Sequence, residues 1–250
     1  MRAENKSLIR TCLRGLLVSV LAGFATLSVA QESVLVAGGA GYKRPIDEMA
    51  NGFEAASKIK VERIYGHMGQ VLQQTRASGK VAVVFGEQDV LEKAEQVSFA
   101  KYLPLGEGRL VVAWSKGKTL KAPADVAGEG FPRIAVADVK QAIFGKAAIE
   151  YLQRAGLFPA VEKRLLTVST VPQVSAYLIS GEVDAGFINL TEALSIRDKI
   201  GGYLEIPAGS YTPIHITAAL VAGQDTAPVR ALVDYLQTPA AHEILKRYGL

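Results

Sequence analysis

Short apolar runs alternate with helical repeats along most of the chain. SVLVAGG (33–39) and VAVVFG (81–86) have the nearly continuous apolar composition of strands buried on both faces. Between them, apolar residues recur at helical spacing at Ile46, Met49 and Phe53. The same reading predicts a strand at KIKVERIYG (58–66), a helix at QVLQQTRASG (70–79) and a strand at GRLVVAWSKG (108–117). This order predicts a parallel sheet with helices on both faces.

A second round of strands and helices follows the first. It comprises predicted strands at PRIAVADV (132–139), LLTVSTV (165–171) and DAGFINL (184–190), and predicted helices at FGKAAIEYLQRAGL (144–157) and PQVSAYLISGEV (172–183). The segment YTPIHITAALVAG (211–223) then predicts another strand, and the end of the chain predicts helices broken at Pro239. We therefore expect two similar α/β rounds, residues 31–112 and residues 113–209, followed by a closing segment, residues 210–250.

The first thirty residues have the pattern of a secretion signal. Four basic residues precede the apolar run Gly15–Val29, and Ser28-Val29-Ala30 fits the small-x-small pattern before a cleavage site. The alternative is a retained membrane anchor, but the apolar run is short for a spanning helix. We predict that residues 1–30 are a cleaved signal peptide and that the mature protein is periplasmic.

Removal of the predicted signal changes the net charge and the cysteine count of the chain. Residues 1–30 hold four of the 28 basic and one of the 24 acidic residues, so 24 basic and 23 acidic residues remain, a net charge of +1. This balance, without a basic run carrying interleaved aromatics, argues against a nucleic-acid partner. The single cysteine, Cys12, lies in the signal, so the mature chain has no disulfide and no thiolate metal site.

Familiar catalytic motifs are absent from the sequence. It has no Gly-x-Ser-x-Gly, no P-loop and no His-Glu-x-x-His. AGGAGY (37–42) lacks the third glycine of a dinucleotide-binding loop. We therefore predict that the protein is not an enzyme and needs no cofactor.

Three stretches carry a resemblance to a known family. They are IAVADVKQAIFGKAAIEYLQRAGLF (134–158), VPQVSAYLISGEVDAGFINLTEAL (171–194), and the closing YTPIHITAALVAG and LVDYLQTPAAHEILKRYGL (211–223 and 232–250). They resemble the periplasmic solute-binding proteins of ABC importers, most of all the molybdate-binding branch. The resemblance implies a two-lobed type II periplasmic-binding-protein fold, each lobe a mainly parallel sheet flanked by helices. Lobe I would be formed by residues 31–112, completed by residues 210–250, and lobe II by residues 113–209. It also implies a ligand cleft between the lobes and a membrane permease as partner, and we expect a monomer.

The resemblance also implies a binding site. In that family a tetrahedral oxyanion such as molybdate or tungstate is held by backbone N–H groups at helix N-termini and by a few hydroxyls, which suits the partial positive charge there. Carried over by position, the ligand-binding residues are Gly38, Gly39, Ala40, His67, Met68 and Gly69 in lobe I, and Phe144, Val171 and Asn189 in lobe II.

Several of these positions depart from the family pattern. The turn 37–41 has no hydroxyl, Met68 takes the place of a serine, and Asn189 that of a tyrosine. His67 can donate from a ring N–H, or it is a polar surface residue with Met68 as a core plug. The ligand is therefore left open among oxyanions, other small anions, organic acids and a soft metal, although we expect no metal site. A sensory binding protein without a transport role is a further alternative.

Overall fold

Two five-stranded sheets form the framework of the protein in a computed structural model that describes residues 32–250. The predicted signal peptide lies outside these residues. The first sheet has the order β2-β1-β3-β10-β4. Its strands are β1 (Ser33–Gly39), β2 (Lys60–Gly66), β3 (Val81–Glu87), β4 (Phe99–Gly108) and β10 (Ile214–Val221).

The second sheet repeats this arrangement, with the order β7-β6-β8-β5-β9. Its strands are β5 (Leu110–Trp114), β6 (Ile134–Ala137), β7 (Leu165–Val168), β8 (Ala185–Asn189) and β9 (Gly202–Glu205). In each sheet three neighbouring strands are parallel and the other pairings are antiparallel. The predicted α/β fold with two sheet-and-helix lobes is confirmed.

Helices cover the sheets in both lobes. Lobe I carries α1 (Lys43–Ser57), α2 (Met68–Ser78), α3 (Gln88–Glu92), α8 (Ala227–Leu236) and α9 (Pro239–Arg247) beside the first sheet. Lobe II carries α4 (Ile143–Arg154), α5 (Phe158–Val161), α6 (Val171–Ser180) and α7 (Leu190–Ile196) beside the second sheet. Six of these helices (α1, α2, α4, α6, α8 and α9) lie where helices were predicted, whereas α3, α5 and α7 were not predicted. Short 3₁₀ turns lie at Ala40–Tyr42, Pro123–Ala127, Glu162–Arg164 and Arg197–Lys199. No helix within residues 32–250 is long and apolar enough to cross a membrane.

The chain passes between the sheets twice. It leaves the first sheet at Gly108 and enters the second at Leu110, and it returns through residues 206–213. The Tyr211 hydroxyl accepts a hydrogen bond from the Leu110 N–H at 2.9 Å, which joins the two crossings. The predicted division after Val112 lies inside β5, whose pairing residues all bond within the second sheet.

Two edge strands are missing from the sequence prediction. Residues 108–117 do not form one strand, because they contain the last residue of β4 and the whole of β5. The two edge strands that were not predicted are β4 and β9. Their residues are largely half-buried or exposed, and β4 contains Pro104. Edge strands show weak apolar patterning and tolerate proline, so local sequence identifies them poorly.

Candidate functional site

Four parallel strands end at one pocket between the lobes. β1 and β2 of lobe I and β6 and β7 of lobe II each lead into a turn or helix start there, and β3 ends beside them at Glu87. The pocket encloses about 350 Å³, part of it open to solvent. It is lined by residues 39–42, 66–68, 142–144 and 170–171 together with Glu87. Both lobes therefore contribute to one concave site.

Three helices begin at this pocket. α2 starts at Met68, α4 at Ile143 and α6 at Val171. The first N–H groups of a helix have no intrahelical acceptor, and the helix dipole adds partial positive charge at this end. Convergence of such ends from two lobes makes a site suited to an anion.

His67 supports the start of α2 directly. Its Nδ1 accepts a hydrogen bond from the Gln70 N–H at 3.2 Å, so the side chain caps the helix. Because Nδ1 acts as acceptor, the neutral ring carries its hydrogen on Nε2. The ring therefore retains one N–H donor.

A loop of lobe II lies close to His67. The Asp138 carboxylate accepts hydrogen bonds from the N–H groups of Lys140 and Gln141 at 2.8 and 2.9 Å, which lowers its pKa, and His67 lowers it further. A Cβ at Gly69 of α2 would lie 2.9 Å from Gln141 Oε1. The lobes thus meet at this rim of the pocket.

Met68 behaves as a core residue. Its side chain is buried, and a Cβ at Gly86 would lie 2.6 Å from its Cε. The thioether therefore fills the space over β3, as the core-plug interpretation requires. Within residues 32–250, no three His, Cys, Asp or Glu side chains cluster closely enough to hold a metal ion.

The two glycines that end β1, Gly38 and Gly39, differ in their surroundings. A Cβ at Gly38 would lie 2.7 Å from Ile46 Cδ1, so a bare backbone lets α1 lie against β1. Gly39 has a φ of −59°, and neither glycine has the positive φ that a flexible turn would need. Gly39 and Ala40 line the pocket, whereas Gly38 is not among its lining residues.

Asn189 links the two lobes. It ends β8 in lobe II, and its Nδ2 donates to the carbonyl of Gly41 in lobe I at 3.0 Å. Its Oδ1 is buried without a hydrogen-bond partner among residues 32–250, and it is not a lining residue of the pocket.

Two hydroxyl groups in the pocket wall were missed from the sequence. Tyr42 lines the pocket, its hydroxyl is buried without a partner within residues 32–250, and its ring lies 6.1 Å from that of Phe144. Burial raises the pKa of Tyr42 well above its usual value, so it is a neutral donor. Thr170 lines the pocket at the start of α6. Tyr42 and Thr170 each lie next to a predicted site segment in the sequence, and this position was the signal that could have identified them.

Glu87 is the third residue that was missed. Its side chain lines the pocket, and its Oε2 is buried with no hydrogen-bond partner among the described residues. Burial raises its pKa to about 7, against smaller lowering effects from its own backbone and from Lys146. An acidic residue directly after the apolar run VAVVFG was the available signal.

One ion pair also crosses between the lobes. Arg44 of α1 donates to the buried Glu192 of α7 at 2.9 Å. Burial raises the pKa of Glu192, and the Arg44 charge opposes this. Together with the bond from Asn189 to Gly41, this pair holds the lobes against each other beside the pocket.

Comparison with known proteins gives consistent results. A family model described as "Bacterial extracellular solute-binding protein" matches residues 34–250. The molybdate-binding protein ModA of Azotobacter vinelandii is 28% identical over 95% of this chain and 97% of its own length. The structure of the Azotobacter vinelandii periplasmic molybdate-binding protein superposes with a TM-score of 0.77 at 24% identity, covering 86% of this chain and 97% of that one. PEB3 bound to L-phospholactate superposes with a TM-score of 0.70 at 19% identity, covering 86% and 98%.

Proposed function

The chain belongs to the family of bacterial extracellular solute-binding proteins, which confirms the resemblance seen in its sequence, and from this premise we propose that it captures a tetrahedral oxyanion of the molybdate or tungstate type for an ABC importer. The observation that carries the proposal is the convergence of three helix N-termini from both lobes on one pocket. The similarity to molybdate-binding proteins supports the choice of anion.

In this proposal, most contacts to the anion come from the backbone. N–H groups near Gly39, Ala40, Met68, Gly69, Phe144 and Val171 replace part of the hydration shell of the anion. Tyr42 and Thr170 supply hydroxyl donors, and His67 supplies its Nε2–H. These side chains take over from the hydroxyls that the family pattern would provide.

The ligand also couples the lobes in this proposal. An anion in the pocket contacts both lobes, so it binds the closed arrangement more tightly than an open one and shifts the population toward it. Gly38 and Asn189 act behind the site, Gly38 by seating α1 and Asn189 through its bond to Gly41. A permease in the membrane then recognises the closed shape.

An organic anion is the second candidate ligand. A second cavity of about 620 Å³ shares Glu87 and Ile143 with the pocket and is also lined by Lys146 and Thr212. It offers room for a substituent attached to an anionic head. PEB3, which shares the fold, is described with L-phospholactate bound.

A thermal-shift panel on residues 31–250 tests the proposal. The panel contains molybdate, tungstate, sulfate, phosphate, phospholactate and small carboxylates. A ligand that binds only the folded state raises the melting temperature, increasingly so above its dissociation constant. We expect molybdate and tungstate to give the largest shifts. Larger shifts with phospholactate would favour the organic anion, and no shift with any member would contradict both candidates.

A further inference from the structure

A buried carboxyl group in the pocket wall has no role in the backbone contacts described above. Glu87 ends β3 with only 5% of its surface exposed, and its Oε2 has no hydrogen-bond partner among residues 32–250. An ionised carboxylate in such a place loses its hydration without compensation, so the neutral acid is favoured.

Among residues 32–250, no basic group forms an ion pair with this carboxyl. Lys146 of α4 is the cation that acts on Glu87, yet the two form no ion pair within 4 Å. The other titratable groups that line the two cavities around Glu87 are Tyr42, His67, Asp89, Glu150 and His215. Glu150 is already engaged by Thr212 and Arg154. Burial therefore dominates and raises the pKa of Glu87 to about 7.

We propose that Glu87 binds the oxyanion as the neutral acid and donates its carboxyl hydrogen to an anion oxygen, so that binding to the ionised protein takes up one proton. This rests on the proposed function. An ionised Glu87 would repel a dianion at close range, whereas the neutral acid is a donor in a site short of hydroxyls. Where Glu87 is ionised, the proton comes from the solvent and forms the O–H bond of the neutral acid, and it stays on Glu87 within the hydrogen bond to the anion.

The proposal has a defined pH dependence. Below pH about 7 Glu87 already carries its proton, so affinity does not depend on its titration. Above that pH the protein must first take up a proton, and affinity for a fully ionised anion falls by about tenfold per pH unit. His67 also lines the pocket, so a control must separate the two residues.

Calorimetric titration with micromolar molybdate, which stays a dianion from pH 6.5 to 9, tests the proposal. Titration in two buffers of different ionisation enthalpy counts the protons taken up. We expect the wild type to take up about one proton at pH 8.5 and to lose about tenfold in affinity per unit above pH 7. Glu87→Gln keeps the shape and a donor, so it should take up none and bind equally at all these pH values. His67→Asn keeps a helix cap and should retain the wild-type slope.

The outcomes separate the proposal from the proposed function. Oxyanion binding with an unchanged slope in Glu87→Gln overturns the role of Glu87. Loss of the slope in His67→Asn also overturns it and assigns the proton to His67. Loss of binding in Glu87→Gln at every pH, with the melting temperature retained, would show that a neutral donor at this position is not sufficient, and it would also overturn the proposal. If molybdate, tungstate and sulfate all fail to bind the wild type at pH 6.5, the proposed function fails.

The raised pKa of Glu87 can also be tested without any ligand. Its pKa rises from 4.5 to about 7 on folding, so between these values the unfolded chain loses its proton before the folded one does. The wild type is thus destabilised relative to Glu87→Gln as pH rises through this window. We expect the melting-temperature advantage of Glu87→Gln to grow from pH 5 to pH 8. A constant difference would overturn the neutral buried acid.

Discussion

At the scale of single residues, Gly39 is the position where an added side chain would most directly change the chemistry of the pocket. It lines the pocket, and a Cβ there would have Met68 Sδ at 3.6 Å and the Tyr42 ring at 3.8 Å as its nearest neighbours. These are ordinary contact distances, and the φ of −59° suits any residue. A side chain at this position therefore changes the site while leaving the fold in place.

Two substitutions at Gly39 should move affinity in opposite directions. Gly39→Ser adds a hydroxyl donor and should tighten molybdate binding by about tenfold, the effect of one hydrogen bond to a charged group. Gly39→Asp places a carboxylate beside the anion and should weaken binding by roughly a hundredfold or more. Titration calorimetry at pH 6.5 measures both effects.

Gly39→Ala is the matched control, because it adds only the Cβ and should bind like the wild type. Equal affinities for the serine and aspartate variants would place the anion elsewhere.

At the scale of elements, α4 lies unusually close to the loop that precedes it. A Cβ at Gly145 would lie 2.3 Å from the Ala137 carbonyl oxygen and 2.6 Å from that of Asp138. These are backbone atoms, which cannot rotate away as a side chain can. The start of α4 can therefore lie this close to the loop only because Gly145 has no side chain.

Gly145→Ala should lower stability and weaken anion binding together. Alanine in a helix is ordinarily favoured over glycine by about 1 kcal/mol, whereas overpacking against backbone costs about 1–3 kcal/mol. We expect the overpacking to dominate and to displace the start of α4. Urea unfolding gives the free energy of unfolding, and calorimetry gives the affinity.

Gly130→Ala serves as the control, because a Cβ there meets no atom within 4 Å. A stabilised Gly145→Ala variant with wild-type affinity would show that the close approach is not needed.

At the scale of the whole molecule, binding depends on how the two lobes meet. The Arg44–Glu192 pair joins α1 to α7 across the lobes, and Asn189 bonds to Gly41 close by. A ligand that contacts both lobes gains from every interaction that favours their contact. We therefore expect Arg44, Glu192 and Asn189 to influence affinity although none of them lines the pocket.

Glu192→Gln should weaken ligand binding by roughly tenfold, or about 1.4 kcal/mol, because it removes the charge of the cross-lobe pair while keeping its shape. We expect most of the change in the dissociation rate, measured by stopped-flow after dilution or chelation of the ligand.

The matched control is Glu48→Gln, which removes the exposed pair with Arg247 within lobe I. An equal loss of affinity in the two variants would assign the effect to net charge.

Much of the candidate site could be predicted from sequence. Gly39, Ala40, His67, Met68, Phe144 and Val171 were predicted, and all six line the pocket. They follow strands with strong apolar patterns, and the carboxyl ends of parallel strands share one edge of a sheet. Their backbone contribution needs no particular side chain, so departures from the family pattern did not hide it.

The other part could not be predicted in this way. Tyr42, Glu87 and Thr170 also line the pocket, but none of them was among the predicted site residues. Asn189 was expected to face the ligand, but its amide donor bonds to Gly41 instead. Side-chain direction at a turn depends on which atoms pack around it, and those atoms come from the other lobe.

The sequence by itself determined the two α/β lobes, the family and the turns that line the pocket. Apolar periodicity, glycines and prolines act over a few residues, so the local sequence is enough to specify these features. Only the tertiary structure decided which polar side chains share the pocket and which tie the lobes together. Tyr42, Glu87 and Thr170 meet there because the strand ends of two separate sheets lie at one pocket, and two chain crossings join the sheets. This arrangement also removes Glu87 from water, and no local pattern records such burial.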